Sequence, residues 1–137
     1  MQPREMDQLI AKHLEAEIAG DAAGAVAVFT EDVVHDVVGF PDGPIRGRDN
    51  AKAFYGTLIQ DIQTKEMQPV RQYYGDNFAV LEHIWRGPVT GTFLGIPGRG
   101  RKIAFRLLHV WEFRDGRISR ENVWMDGGAV VAQLTAP

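Results

Sequence analysis

From Asp7 to Ala19 the apolar residues Leu9, Ile10, Leu14 and Ile18 recur at the spacing of one helix face, and Gly20 stands where such a helix ends. Asp21 suits the N-cap of a second, short helix running through Phe29. The period then changes. Val33 to Val38 is β-branched apart from His35 and Asp36, and the turn-rich Gly39-Phe40-Pro41-Asp42-Gly43-Pro44 follows, so a strand runs into a loop. After Asp49, the positions Ala51, Phe54, Tyr55, Leu58, Ile59 and Ile62 return to the helical repeat and mark a third helix. Beyond Thr64 the chain reads as β. Four strands are expected over Glu66 to Tyr74, Phe78 to Arg86, Lys102 to Phe113 and Ile118 to Asp126. Turn residues join them at Gly75-Asp76-Asn77, Gly95-Ile96-Pro97-Gly98-Arg99-Gly100 and Asp115-Gly116.

Helices first and antiparallel strands afterwards give an α+β class in which helices cover one sheet face. A curved sheet wrapped around about three N-terminal helices makes a cone, and the open end of a cone is a natural pocket. The 137 residues, 45% apolar and 24% charged, suit one domain over residues 1–137 rather than two. With no cysteine there is no disulfide, thiolate nucleophile or cysteine-ligated metal, a composition that fits a reducing compartment. A net charge of −3, with 15 basic and 18 acidic residues intermixed, supplies no basic stripe for nucleic acid. No apolar run approaches about 18 residues and the first residues lack an apolar core, so neither a membrane span nor an export signal is expected. These features together predict a cytoplasmic protein.

The Asp115-Gly116 pair predicts a two-residue hairpin, and if Arg114 pairs with Arg117 the register of both strands follows. Ile103, Phe105, Leu107, His109, Trp111 and Phe113 then share the buried face, and an unbroken register sets Ile118, Arg120, Asn122, Trp124 and Asp126 beside them. His109 would face Asn122. A bulge in either strand would void this arithmetic. A buried face carrying His, Asn, Arg and Asp is costly unless those groups meet partners or line a pocket. His83 shares parity with Ala79, Leu81 and Trp85, and raises the same question. His13, inside the apolar stripe of the first helix, is a satisfied core histidine or a pocket wall. Adjacency sends His35 and Asp36 to opposite faces, with Asp36 favoured inward over a strand-end role. His109 is a pocket group or a core group bonded to Asn122, and Asp126 is functional or caps the Gly127-Gly128 turn. Trp85, Trp111 and Trp124 line the pocket or simply fill the core. Phe105, Phe54, Tyr55 and Phe40 complete the candidate lining. None of the four histidines is spaced for metal binding, and no glycine-rich loop opens a helix, so neither metal nor cofactor is expected.

Several stretches together resemble the SnoaL-like polyketide cyclases, within the superfamily named for nuclear transport factor two. They are Gly20-Asp21, Phe29-Thr30-Glu31-Asp32-Val33-Val34-His35-Asp36, Gly47-Arg48, Gly91-Thr92-Phe93-Leu94-Gly95-Ile96-Pro97, Phe113 to Ile118, and Asp126 followed by Gln133-Leu134. The resemblance implies the cone fold, and a homodimer packed through the open sheet face. Its members span cyclases, isomerases, epoxide hydrolases, dehydratases and proteins without known chemistry, so it specifies the fold better than the reaction. By similarity to the cyclases, Asp126 matches an acid/base aspartate. By similarity to ketosteroid isomerase, Asp36 matches the base, with His13 and His109 where that enzyme has a tyrosine and a protonated aspartic acid; that enzyme's neutral buried acid is a standard example of the effect. Limonene-type epoxide hydrolases are a weaker analogy, because Asn122 and Val123 stand where their Arg and Asp are expected.

The expectation is therefore a cofactor-free acid/base enzyme of cyclase or isomerase type, acting on a small apolar carbonyl compound. Asp126 or Asp36 would serve as base, and neutral His109 and His13 would donate to a developing oxyanion. The rivals are a binding module that holds an apolar ligand and a hydrolase or dehydratase activating water through Asp126. If both aspartates lay exposed and remote from the cavity, the enzymatic reading would fall.

Overall fold

The computed structural model describes all residues 1–137. Pro3 opens the first helix, α1 (Pro3–Ile18), at a position where its missing N–H costs nothing, and the Gln2 N–H donates to Glu5 Oε2 at 2.8 Å. The helix therefore starts one turn before the apolar stripe does. Asp21 caps α2 (Ala22–Val26) by accepting from Gly24 N at 2.9 Å. The chain then turns directly into β1 (Phe29–Val37), which begins four residues ahead of the β-branched run. Strand β2 (Ile45–Arg46) and helix α3 (Arg48–Asp61) follow. The expected strands are β3 (Glu66–Gly75), β4 (Phe78–Val89), β7 (Arg101–Arg114) and β8 (Arg117–Met125). Between β4 and β7 a small hairpin pairs β5 (Thr92–Phe93) with β6 (Ile96–Pro97).

The main sheet runs β2-β1-β8-β7-β4-β3, antiparallel except that β1 lies parallel to β8. A final helix, α4 (Gly127–Thr135), was not expected; it buries Val130 and Leu134. The β7–β8 turn has the predicted form, with positive φ at both Asp115 and Gly116.

The register behind that turn differs from the expected one. Arg114 pairs with Arg117 and Phe113 with Ile118, but Glu112 pairs with Arg120, leaving Ser119 as the extra residue of a bulge. From there the strand's parity reverses. Glu121, Val123 and Met125 turn inward, whereas Arg120, Asn122 and Trp124 turn to the outer face. Strands β4 and β7 keep their expected inner columns, from Ala79 to Trp85, which β4 carries on to Val89, and from Ile103 to Phe113.

The core is divided in two. One apolar cluster, including Met6, Ile10, Phe29, Val33, Leu81 and Trp111, packs under α1 and α2. The other gathers Val37, Trp85, Val89, Phe105, Leu107 and Val123 toward α4. Polar residues mark the division across the sheet: His35 between Val33 and Val37, His109 between Leu107 and Trp111, His83 between Leu81 and Trp85, and Glu121 between Ile118 and Val123.

Candidate active site

Glu121 is 1% exposed, and its carboxylate is the focus of the polar layer. The Tyr55 hydroxyl from α3 donates to it, at 2.8 and 3.0 Å from the two oxygens. His109 Nε2 stands 3.4 Å from Oε2, while His35 Nε2 and His13 Nε2 each stand 3.6 Å from Oε1. Burial opposes ionisation of Glu121, but the attraction of His35 and hydrogen bonding from His109 and His35 outweigh it. The carboxyl is held well below the usual carboxylate range. Burial and the Glu121 charge raise the Tyr55 phenol well above its ordinary value, so it stays a donor.

The ring tautomers follow from the partners. His13 Nδ1 lies 2.7 Å from the Ala25 carbonyl, which can only accept, so Nδ1 carries the hydrogen. Burial lowers the pKa of His13 against the opposing pull of Glu121, leaving a neutral ring whose Nε2 is an acceptor. That nitrogen is 3.1 Å from Tyr55 Oη and 3.6 Å from Glu17 Oε2. His35 Nε2 is 3.0 Å from Tyr55 Oη and donates to it, since that hydroxyl's own hydrogen goes to Glu121. His35 and His109 thus turn Nε2 toward the carboxylate, and the Nδ1 atom of each is buried without a partner. A carboxylate that fixes one imidazole nitrogen as donor leaves the other as a lone-pair base.

His35, His109, Tyr55 and Glu121 line an apolar cavity of about 50 Å³, walled by rings that include Phe40, Phe54, Trp85, Phe93 and Phe105. Trp85 stacks on Phe105 at 5.1 Å, and its indole N–H donates to Thr64 Oγ1 at 2.8 Å. Glu17 of α1 also lines this cavity. Burial, aided by the Glu121 charge, pushes its pKa up to about 8. Two carboxyl groups in one cavity are therefore driven apart, one ionised and one protonated at neutral pH, the division expected of an acid/base pair. Outside lies a vestibule of about 410 Å³ between Gly39–Pro41 and Thr92–Gly95, which shares Phe40, Phe54, Leu58 and Phe93 with the inner cavity. Phe40 sits 5.9 Å from Phe54 and 6.3 Å from Phe93, ring to ring.

Of the residues named from sequence, His35, Phe40, Phe54, Tyr55, Trp85, Phe105 and His109 line the cavity. His13 joins their hydrogen-bond network from behind. The remaining assignments need correction. Asp126 is exposed and outside the cavity, where its side chain caps α4 by accepting from Ala129 N at 3.1 Å. Asp36 is on the outer face because His35 takes the inner one; its side chain is 21% exposed and pairs with Arg120 at 3.4 Å. Asn122 is buried outside the cavity, accepting from Arg120 Nε at 2.7 Å, and Trp124 is 43% exposed. The Ser119 bulge accounts for the last two. Trp111 is core, stacked on His109 at 4.9 Å. His83 packs edge-on to His109, outside the cavity, and burial lowers its pKa to about 4. Glu121 and Glu17 went unrecognised. Glu17 had a local signal, because it lies one helical turn after His13.

No three His, Asp or Glu side chains converge as a metal site, and no helix is long and apolar enough to cross a membrane. The profile described as the SnoaL-like domain matches residues 10–121. No protein of curated function matches the chain in sequence. Among solved structures, a provisionally named SnoaL-like polyketide cyclase from Jannaschia sp. CCS1 superposes with a TM-score of 0.86 at 16% identity, covering 100% of this chain and 97% of that one. A provisionally named isomerase from Bacillus subtilis gives 0.82 at 17%, covering 98% and 95%. A protein of ketosteroid isomerase-like fold from Catenulispora acidiphila DSM 44928, solved with trimethylamine, gives 0.78 at 14%, covering 100% and 96%. At these identities the likeness is one of fold.

Proposed function

From the premise that this chain belongs to the SnoaL-like domain family, we propose that it is a cofactor-free acid/base enzyme of cyclase or isomerase type for a small, mostly apolar carbonyl compound. Asp126 is exposed and Asp36 lies half-buried against Arg120, neither of them lining the cavity, so the enzyme built on an aspartate base falls and the acid/base role passes to other side chains. The reading is carried instead by the buried Glu121 carboxylate, which faces His109 Nε2 directly and holds His35 Nε2 through the Tyr55 hydroxyl, so that each Nδ1 is left without a partner. In this mechanism one Nδ1 removes a proton from the carbon next to the substrate carbonyl. The protonated Glu17 carboxyl is the group able to donate to the enolate oxygen, and the imidazolium formed at that Nδ1 is the group that returns the proton. Glu121 touches no reacting atom; it fixes tautomers and stabilises the imidazolium that forms. The aromatic walls exclude water and favour an apolar substrate body, which enters by way of the vestibule. Homodimer formation through the outer sheet face belongs to the same proposal, supported by the exposed Trp124 there, as does a cytoplasmic location, which the cysteine-free composition fits.

The test is solvent-deuterium exchange at the α-carbon of cyclic ketones and β-keto esters, followed by NMR. His35→Gln and His109→Gln keep an amide donor toward Glu121 but remove the ring base. Exchange should fall at least about a hundredfold in one of them, and stay within twofold in Asp36→Asn and Asp126→Asn. Loss confined to Asp126→Asn would restore the aspartate. Thermal stabilisation by a probe without any exchange would make the protein a binding module.

A further inference from the structure

Glu17 borders two spaces. It lines the inner cavity, and it also lines a surface cleft of about 250 Å³ formed with Ile18, Gly20, Ile59, Gln63 and Lys65. None of the cleft residues belongs to the vestibule at the aromatic mouth. The side chain is 15% exposed, and its Oε2 lies 3.6 Å from His13 Nε2. His13 Nε2 is in turn 3.1 Å from Tyr55 Oη, and Tyr55 Oη is 3.0 Å from His35 Nε2. The charged and titratable groups facing Glu17 are His13 on its own helix, Tyr55 from α3, Glu121 from β8 and Lys65 at the cleft.

Building on the acid/base reading of the same site, we propose that Glu17 is its proton port, passing protons between the buried imidazoles and water in the cleft while the aromatic mouth stays closed. The transfers balance one bond at a time. After Nδ1 of His35 takes a proton, the Nε2–H of the cation moves to Tyr55 Oη as the hydroxyl hydrogen turns from Glu121 to His13 Nε2. Glu17, protonated at rest, first releases its own hydrogen to water in the cleft; His13, now the cation, then gives its Nε2–H to the carboxylate so formed, and a side-chain swing of less than an ångström brings the two within hydrogen-bond reach. One proton has then left the site, Glu17 is protonated again and every ring is neutral. The reverse sequence reloads the site. His13 is suited to the middle position because its Nδ1 is committed to Ala25 O, so the acceptor nitrogen faces both Tyr55 and Glu17.

The readout is exchange of the His35 Nε2–H hydrogen with water, measured by saturation transfer on the ¹⁵N-labelled whole chain. This needs no substrate. Glu17→Gln is expected to slow exchange at least tenfold, and Glu17→Asp, which keeps a carboxyl, to recover most of the loss. Phe40→Ala, which opens the mouth, should leave the rate within twofold. Wild-type exchange rates in Glu17→Gln, or a tenfold acceleration in Phe40→Ala, would overturn the port. A slowed Glu17→Gln beside a wild type that exchanges no ketone hydrogen would keep the port and discard the enzymatic reading.

Discussion

Replacing Glu17 by Gln should change how stability depends on pH. The folded carboxyl has a pKa of about 8, against 4.5 for the free side chain. The folded value is raised, so its stabilising contribution is complete below about 4.5 and is lost as pH climbs through 8. Within that window the native state holds one proton that the unfolded chain has released. Stability then falls by about 1.4 kcal/mol per pH unit, or about 5 kcal/mol in all, and the side chain's slight exposure makes this a ceiling. Gln presents an amide N–H toward His13 Nε2 in place of the acid O–H and cannot ionise, so Glu17→Gln removes the slope. Urea unfolding of both proteins between pH 5 and 9 measures it. The curves should draw apart steadily, with the variant several kcal/mol ahead by pH 8. Parallel curves, or a variant losing ground as pH rises, would refute the assignment of a protonated Glu17.

At the acid end His83 contributes alongside His13 and Glu121; its folded value of about 4 lies below the usual 6.5, so its contribution is present above 6.5 and lost as pH falls toward 4. His83→Gln should flatten up to about 3 kcal/mol of that decline in urea titrations between pH 7 and 4. Glu121→Gln leaves ring donors without their anion and should cost about 1.5–3 kcal/mol by thermal or urea unfolding, along with the α-carbon exchange. Asp126→Ala removes a helix cap, so a loss of about 1 kcal/mol with exchange unchanged is expected, and lost exchange at wild-type stability would contradict the capping role. Trp124→Lys should convert a dimer to monomer in light scattering; an unchanged mass would move the interface elsewhere.

The α+β class, three of the helices, the β7–β8 turn and the inner columns of β4 and β7 were legible because periodicity and turn chemistry are local signals. Helix α4 was missed because its Gly-Gly start, coming straight after a strand, reads as a turn until Asp126 is seen capping it. The site was half legible for a different reason. His35 and His109 lie on strands of regular pleat, whereas Glu121 lies three residues past the hairpin turn's own pairs, beyond an extra residue at Ser119. Nothing in the identity of Ser119 announces a bulge, and one uncounted residue exchanged Asn122 and Trp124 for Glu121 and Val123 on the inner face. Asp36 was misplaced because adjacency with His35 fixes only that the two part company, and long-range partners such as Arg120 decide which turns inward.

The polar layer that divides the core also sets where the molecule can loosen. Apart from Phe54 and Leu58 of α3, which pack against both, each apolar cluster keeps to its own side of the layer, so solvent reaching one need not expose most of the other. The half toward α4 is completed by short pieces, the Phe40 loop and the two-residue strands of the β5–β6 hairpin, while the half beneath α1 and α2 is completed by regular helices. Opening near the mouth is therefore a small, sub-global event, and backbone amides around Phe93 should exchange with deuterium long before those of α1.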